Sequence, residues 1–291
     1  MKTILIPTDF SRTATHAAYY GAELSKQGDI SRIVLLNSFF ISIYESFFPS
    51  PDFVYVSDED IEARATERVE QLEALKRDLS EIVGKHVVID THLSRLPLNR
   101  AIISVIESHA VDIVILGSNG VGAQDDSRIG ENAVSISKIC PVPVIVVPPT
   151  GNFRSIKRVV LACDFKKVTK TIPLKTLKKI LSDPEVELLV LNVDPEGKHS
   201  NWDPELIAEQ TDLHQMLKCF NPKYYFSSHY DTISGIVDFS TRRDAHLIIA
   251  LPKRYSFFES LMHNSVSQKL TIHSSVPVLL LKDEEEEEDF T

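Results

Sequence analysis

The chain has 291 residues, 43% of them hydrophobic, which is enough for two domains with real cores and too apolar for wholesale disorder. The formal net charge is −10, and the acidic run Asp283–Asp289 carries seven of those charges, leaving −3 elsewhere. That balance speaks against nucleic-acid binding, which needs a basic stripe to displace counterions.

The chain opens with MKTILIPTDF, whose apolar stretch is too short for a signal-peptide core. A first strand is predicted at 3–8. Ser11–Lys26 follows, with Ala14, Ala17, Ala18, Gly21 and Leu24 at helical spacing. A second strand is predicted at 32–38. The aromatic-rich stretch after it, with Tyr44, Phe47, Phe48, Phe53 and Tyr55, reads as a loop packed on its own domain or as cover for another surface. Ser57–Gly84 is a long helix with apolar residues in steps of three and four from Ile61 to Ile82. Ser57 with Asp60 forms a predicted capping box, and Gly84 is the predicted C-cap. Strands at 86–93, 111–117 and 142–147 alternate with helices at Pro97–His109 and Asn132–Ile139. The runs VDIVILG and VPVIVV are apolar throughout, as central parallel strands covered on both faces require.

The pattern then repeats. TILIPTDF (Thr3–Phe10) has its counterpart in RVVLACDF (Arg158–Phe165), with Asp9 and Asp164 155 positions apart. Asn37 and Asn192 are also 155 apart, whereas Pro143 and Pro277 near the end of each copy are 134 apart. The second copy is thus 21 residues shorter, and the deficit falls after its second strand. Its strands are predicted near 157–163, 187–193, 223–229, 246–251 and 277–281. The predicted organisation is a first domain at 1–149, a linker at 150–155, a second domain at 156–282 and an acidic tail at 283–291. The tail reads as a solvated end or as a docking segment for a basic partner. Strand–helix alternation of this kind makes each domain a doubly wound α/β sheet.

Ligands of such sheets sit beyond the carboxyl ends of the strands. The candidates are therefore Pro7, Thr8, Asp9 and Phe10 after the first strand and Asn37 and Ser38 after the second. After the fourth strand comes LGSNGVGAQDDSRIGEN, Leu116–Asn132. Glycines permit positive φ and close backbone approach, and a helix N-terminus after them offers N–H groups to phosphate. The spacing at Gly117, Gly120 and Gly130 is neither a Walker A motif nor GxGxxG. Asp9 also reads as a helix N-cap in competition with Ser11, and Asp164 reads as a cap alone.

Taken together, PTDF, the glycine spacing G-x2-G-x9-G and the closing CPVPVIVV resemble the universal stress protein family over essentially the whole chain, as two tandem copies. The resemblance implies a five-stranded parallel sheet in the order 3-2-1-4-5 in each copy. It also implies pairing of the two copies through their last strands. Nucleotide-binding members of the family hold ATP in this loop. By that resemblance Pro7, Thr8 and Asp9 face adenine and ribose. Leu116, Gly117, Gly120 and Gly130 line the phosphates, with the N–H groups of Glu131 and Asn132, and Ser38 lies at the same edge. Glu131 departs from the family pattern, which has a small hydroxyl residue there. At ~5 Å and an effective dielectric of ~20, its repulsion is about 3 kcal/mol per unit charge, or roughly a hundredfold in affinity. Asp125 and Asp126 add acid to the loop, and a Mg²⁺ ion bridging carboxylates and phosphates would offset it.

In the second copy, Leu251, Arg254 and Asn264 replace the three glycines, and no ATP is expected there. Lys253 and Arg254 stand as an alternative anion site. Cys140, Cys163 and Cys219 have no redox or zinc spacing and read as reduced thiols. No nucleophile–base or metal-ligand motif is present in the sequence. The expectation is a cytoplasmic stress-response module, not an enzyme, with no membrane or nucleic-acid partner. It would act through ATP binding and protein partners, as the internal pair or as a homodimer. A nucleotide-free scaffold and a weak ATPase are the alternatives.

Overall fold

Strands and helices alternate along the chain in the computed structural model, which describes residues 2–40, 57–118, 131–149, 153–165, 167–195, 204–251, 270–271 and 273–282. By contact density the chain divides after Val142 into two units. The aromatic stretch at 41–56, most of the glycine loop, the second copy's matching loop and the acidic tail lie outside the described residues.

The first unit runs β1 (Lys2–Pro7), α1 (Arg12–Leu24), β2 (Ile30–Ser38), α2 (Asp58–Ser80), β3 (Val88–Ser94), α3 (Leu98–His109), β4 (Ile113–Gly117) and α4 (Glu131–Ile139). Its strands are ordered β3-β2-β1-β4 and every pairing is parallel. Ile4, Leu5 and Ile6 are consecutive and wholly buried, so both faces of β1 are covered. α1 lays its small residues Ala14, Ala17, Ala18, Gly21 and Ala22 on the sheet, which lets its backbone come close. α2 buries Ala65, Leu72, Leu75 and Leu79, a narrow stripe on a helix whose other positions are mostly charged.

The second unit contains β5 (Val144–Val147), β6 (Arg158–Ala162), α5 (Val168–Thr171), α6 (Leu174–Ile180), β7 (Glu187–Asp194), α7 (Pro204–Leu217), β8 (Lys223–Ser228), α8 (Thr232–Arg242), β9 (Leu247–Ala250) and β10 (Val278–Leu280). The strand order is β5-β10-β9-β6-β7-β8. Counted within its own copy, the sequence from β8 to β10 reads 3-2-1-4-5, as expected. All of these pairings are parallel except that of β5, which meets β10 antiparallel, with Ile145 opposite Leu279. The two copies' last strands are therefore hydrogen-bonded to each other. Ser38 to Val88 spans 50 positions and Asp194 to Lys223 spans 29, so the 21-residue deficit lies wholly between the second and third strands.

The predicted capping box is present. Ser57 Oγ accepts the Asp60 N–H at 3.1 Å and Asp60 Oδ2 accepts the Ser57 N–H at 3.1 Å. Gly84 is not the cap of that helix. α2 ends at Ser80 with Glu81 as C-cap, and Gly84 instead serves the turn into β3, where a Cβ would stand 2.8 Å from the His86 ring. Asp164 is not an N-cap either. α5 begins later, at Val168, behind Lys167 in a left-handed conformation, and Glu209 of α7 accepts the Val168 N–H at 2.7 Å. Among the described residues no helix is long and apolar enough to cross a membrane.

Candidate functional site

The carboxyl ends of β1, β2 and β4 lie side by side in the first unit, because β1 pairs with both of the others. That brings Pro7, Thr8 and Asp9, Ser38, and Leu116 and Gly117 to one edge of the sheet. Gly120 and Gly130 lie outside the described residues. Glu131 and Asn132 are the first residues of α4, so their backbone N–H groups lie outside the helix's own ladder.

The turn after β1 is held by hydrogen bonds from both backbone and side chains. The Thr8 N–H donates to Leu36 O at 2.8 Å, continuing the ladder by one residue. Thr8 Oγ1 accepts the Phe10 N–H at 3.0 Å, and Asp9 Oδ1 accepts the Ser11 N–H at 3.0 Å. Asn37 Nδ2 donates to Thr8 O at 2.7 Å. These bonds support Phe10 at φ 62°, a left-handed conformation costly for a residue with a Cβ. Ser11 is the N-cap of α1, accepting the Ala14 N–H at 3.2 Å. Asp9 thus shapes the approach to the helix, and the cap itself is Ser11. Ser38 gives its hydroxyl to Leu96 O at 2.7 Å, which ties the end of β2 to the segment after β3.

β4 ends on Gly117 for a packing reason. A Cβ there would stand 2.7 Å from Thr13 O and 2.8 Å from Thr13 C, both backbone atoms of α1. The next residue, Ser118, is 4% exposed, and its buried hydroxyl has no hydrogen-bond partner among the described residues. The Oδ1 of Asn37, also 4% exposed, is in the same condition. In the sequence Ser118 is legible only as a hydroxyl between two loop glycines, and Asn37 as a repeat mark and an edge residue. Arg68 of α2 lies over the Phe10 ring at 5.6 Å, a contact no sequence pattern announces.

The second unit builds the same edge with different residues. The Cys163 N–H donates to Leu191 O at 3.0 Å, and Asn192 Nδ2 donates to Cys163 O at 3.0 Å. The Phe165 N–H lies 3.4 Å from Cys163 Sγ, and Phe165 repeats the left-handed turn at φ 55°. Phe165 is 1% exposed and meets Phe226 edge-on at 5.5 Å between ring centroids. Leu251 stands where Gly117 stands in the first unit.

The family model described as the universal stress protein family matches residues 1–148, more than half of the chain. The chain belongs to the universal stress protein family. A universal stress protein of Mycobacterium tuberculosis is 30% identical over 149 residues, covering 50% of this chain and 48% of that relative. The chain thus spans about half the length of the curated relatives it matches. Among solved structures, a universal stress protein from Archaeoglobus fulgidus superposes with a TM-score of 0.70 at 16% identity, covering 98% of this chain and 97% of that one. A putative universal stress protein from Pseudomonas aeruginosa gives a TM-score of 0.62 at 12% identity, covering 97% and 94%. At such identities the likeness is one of fold, and it extends over both units of this universal stress protein.

Proposed function

We propose that the first unit binds an adenine nucleotide, ATP, at the carboxyl edge of its sheet. The protein then works as a cytoplasmic stress-response module through binding and partner contacts, without turnover. The observation that supports this reading is the buried Ser118 hydroxyl, directly after Gly117, which has no hydrogen-bond partner among the described residues. A buried polar group left unpaired costs ~1–3 kcal/mol, and a phosphate held in this loop would relieve it. Pro7, Thr8 and Asp9 would meet adenine and ribose. Gly117, Gly120 and Gly130 would line the phosphates with the N–H groups of Glu131 and Asn132. Mg²⁺ would share the phosphate charge with the loop acids.

The test is mass spectrometry of ligands released from denatured protein, followed by ATP titration calorimetry with and without Mg²⁺. Released nucleotide, or saturable heat, is expected. No nucleotide and no heat at ATP concentrations of the order of a Kd of ~1 mM removes the proposal. With binding in hand, Glu131→Ser should tighten ATP by up to roughly a hundredfold, and Gly130→Val should abolish it.

The second reading is a nucleotide-free scaffold that acts by pairing and protein contacts. Phe165, buried at the equivalent edge of the second unit, favours it for that unit.

A further inference from the structure

We infer that Asn37 is a positioning residue of the nucleotide site, holding the turn that carries Asp9; the inference rests on the nucleotide reading above. Its amide does one job that no other described group does. Nδ2 donates to the Thr8 carbonyl at 2.7 Å, at the point where β1 leaves the sheet. The opposite amide orientation would set Oδ1 against that carbonyl oxygen, so the donor assignment follows from the network. Thr8 is then held through both of its backbone polar groups, its N–H donating to the Leu36 carbonyl and its carbonyl accepting from Asn37. Asp9 follows at once, and the left-handed Phe10 after it needs such over-determination to persist.

The second unit repeats the device in a setting where no nucleotide is proposed. Asn192 clamps Cys163 as Asn37 clamps Thr8, and the two donor–acceptor pairs have the same separation of 29 residues. The clamp as such is therefore a feature of the fold. Its influence on a ligand belongs only to the copy whose fourth strand ends in glycine. This gives an internal control that most positioning residues lack.

The experiment compares Asn37→Leu with Asn192→Leu in the full chain. Leucine keeps the branching and the number of side-chain heavy atoms while being bulkier, removes the donor and adds no charge. Melting temperature and the ATP Kd are measured for both. Both variants should melt lower than the parent. Asn37→Leu should weaken ATP by about tenfold or more, while Asn192→Leu should leave the Kd within about twofold. Equal effects of the two variants on Kd, or no effect of Asn37→Leu, overturn the inference while leaving the nucleotide reading intact. A parent protein that takes up no ATP overturns the nucleotide reading and this role with it. If Asn37→Leu does not fold, Asn37→Ala and Asn192→Ala decide by the same criteria.

Discussion

Phe10 and Phe165 occupy the same left-handed backbone position in the two units, at φ 62° and 55°, yet only Phe165 is buried. Phe165 turns its ring against Phe226, whereas Phe10 stays half-buried under Arg68. One strained turn thus serves two ends: in the second unit its side chain closes the sheet edge, and in the first it does not. Phe165→Ala should cost ~3–5 kcal/mol, the usual loss for emptying a buried aromatic site. Phe10→Ala should cost well under half as much. Denaturant unfolding monitored by circular dichroism measures both, and equal losses would contradict the assignment.

The capping box of α2 makes a separate prediction. Ser57 and Asp60 satisfy each other's backbone N–H groups at the entry to a helix of 23 residues. This helix buries few side chains for its length, so its end matters. Ser57→Ala should lower stability by ~1 kcal/mol, and Ser57→Gly by only a few tenths. The comparison of the two midpoints in urea checks this. A larger loss for glycine would mean that helix propensity, not the cap, sets the result.

Much of this was legible in the chain. The apolar runs marked the central strands to within about two residues, because parallel strands covered on both faces must be apolar throughout. The 155-residue offset located Asn37 and Asn192 together, and the structure shows that both amides do the same work. Local signals misled where a later contact decided the outcome. Gly84 reads as a cap, but α2 stops one turn earlier and the glycine lies in the turn into β3. Asp164 looked like a cap, but α5 begins only at Val168 and takes its acceptor from Glu209, 41 residues onward. At the candidate site, glycine spacing revealed the loop but not why β4 ends in glycine. That reason is the backbone of α1, more than a hundred residues back in sequence.

Stability should fall as pH drops through the histidine range. His246 Nδ1 accepts the N–H groups of Lys157 at 3.0 Å and Arg158 at 3.2 Å, which requires the unprotonated nitrogen. Partial burial and the nearby Arg154 hold its pKa below the ordinary value, with Asp244 opposing them. The folded state therefore binds the proton less readily than the unfolded chain. The contribution is fully present above the unfolded pKa of ~6.5 and is lost as pH falls through the folded value. His92, lowered by burial and by His109, acts in the same direction. Asp244, held down to about 2 by Arg154, stays ionised across this window. Melting curves from pH 8 down to about pH 5 should decline less steeply for His246→Gln. A variant curve parallel to the parent's would show that His246 is not a source of the decline.

Gly117 separates packing from ligand binding most sharply. A Cβ there would collide with the carbonyl of Thr13, and backbone cannot swing aside as a side chain can. Gly117→Ala should therefore destabilise the first unit by ~1–3 kcal/mol in the absence of any nucleotide. Gly21→Ala is the contrast. Its Cβ would meet the Cδ1 of Ile6 at 2.6 Å, the far end of a flexible side chain, on a helix where alanine gains up to ~1 kcal/mol in propensity. It should be close to neutral. Thermal melts of both variants without ATP test the packing claim, and titration of ATP into Gly117→Ala tests the rest. If the glycine matters only because α1 must approach β4, the variant protein that remains folded should bind ATP as the parent does once lower temperature favours the folded state, and weaker binding by that folded protein would give the glycine a part in holding the ligand as well. A Gly117→Ala variant as stable as the parent would show that α1 yields where its backbone appears fixed, and the glycine would then have to be explained by the ligand alone.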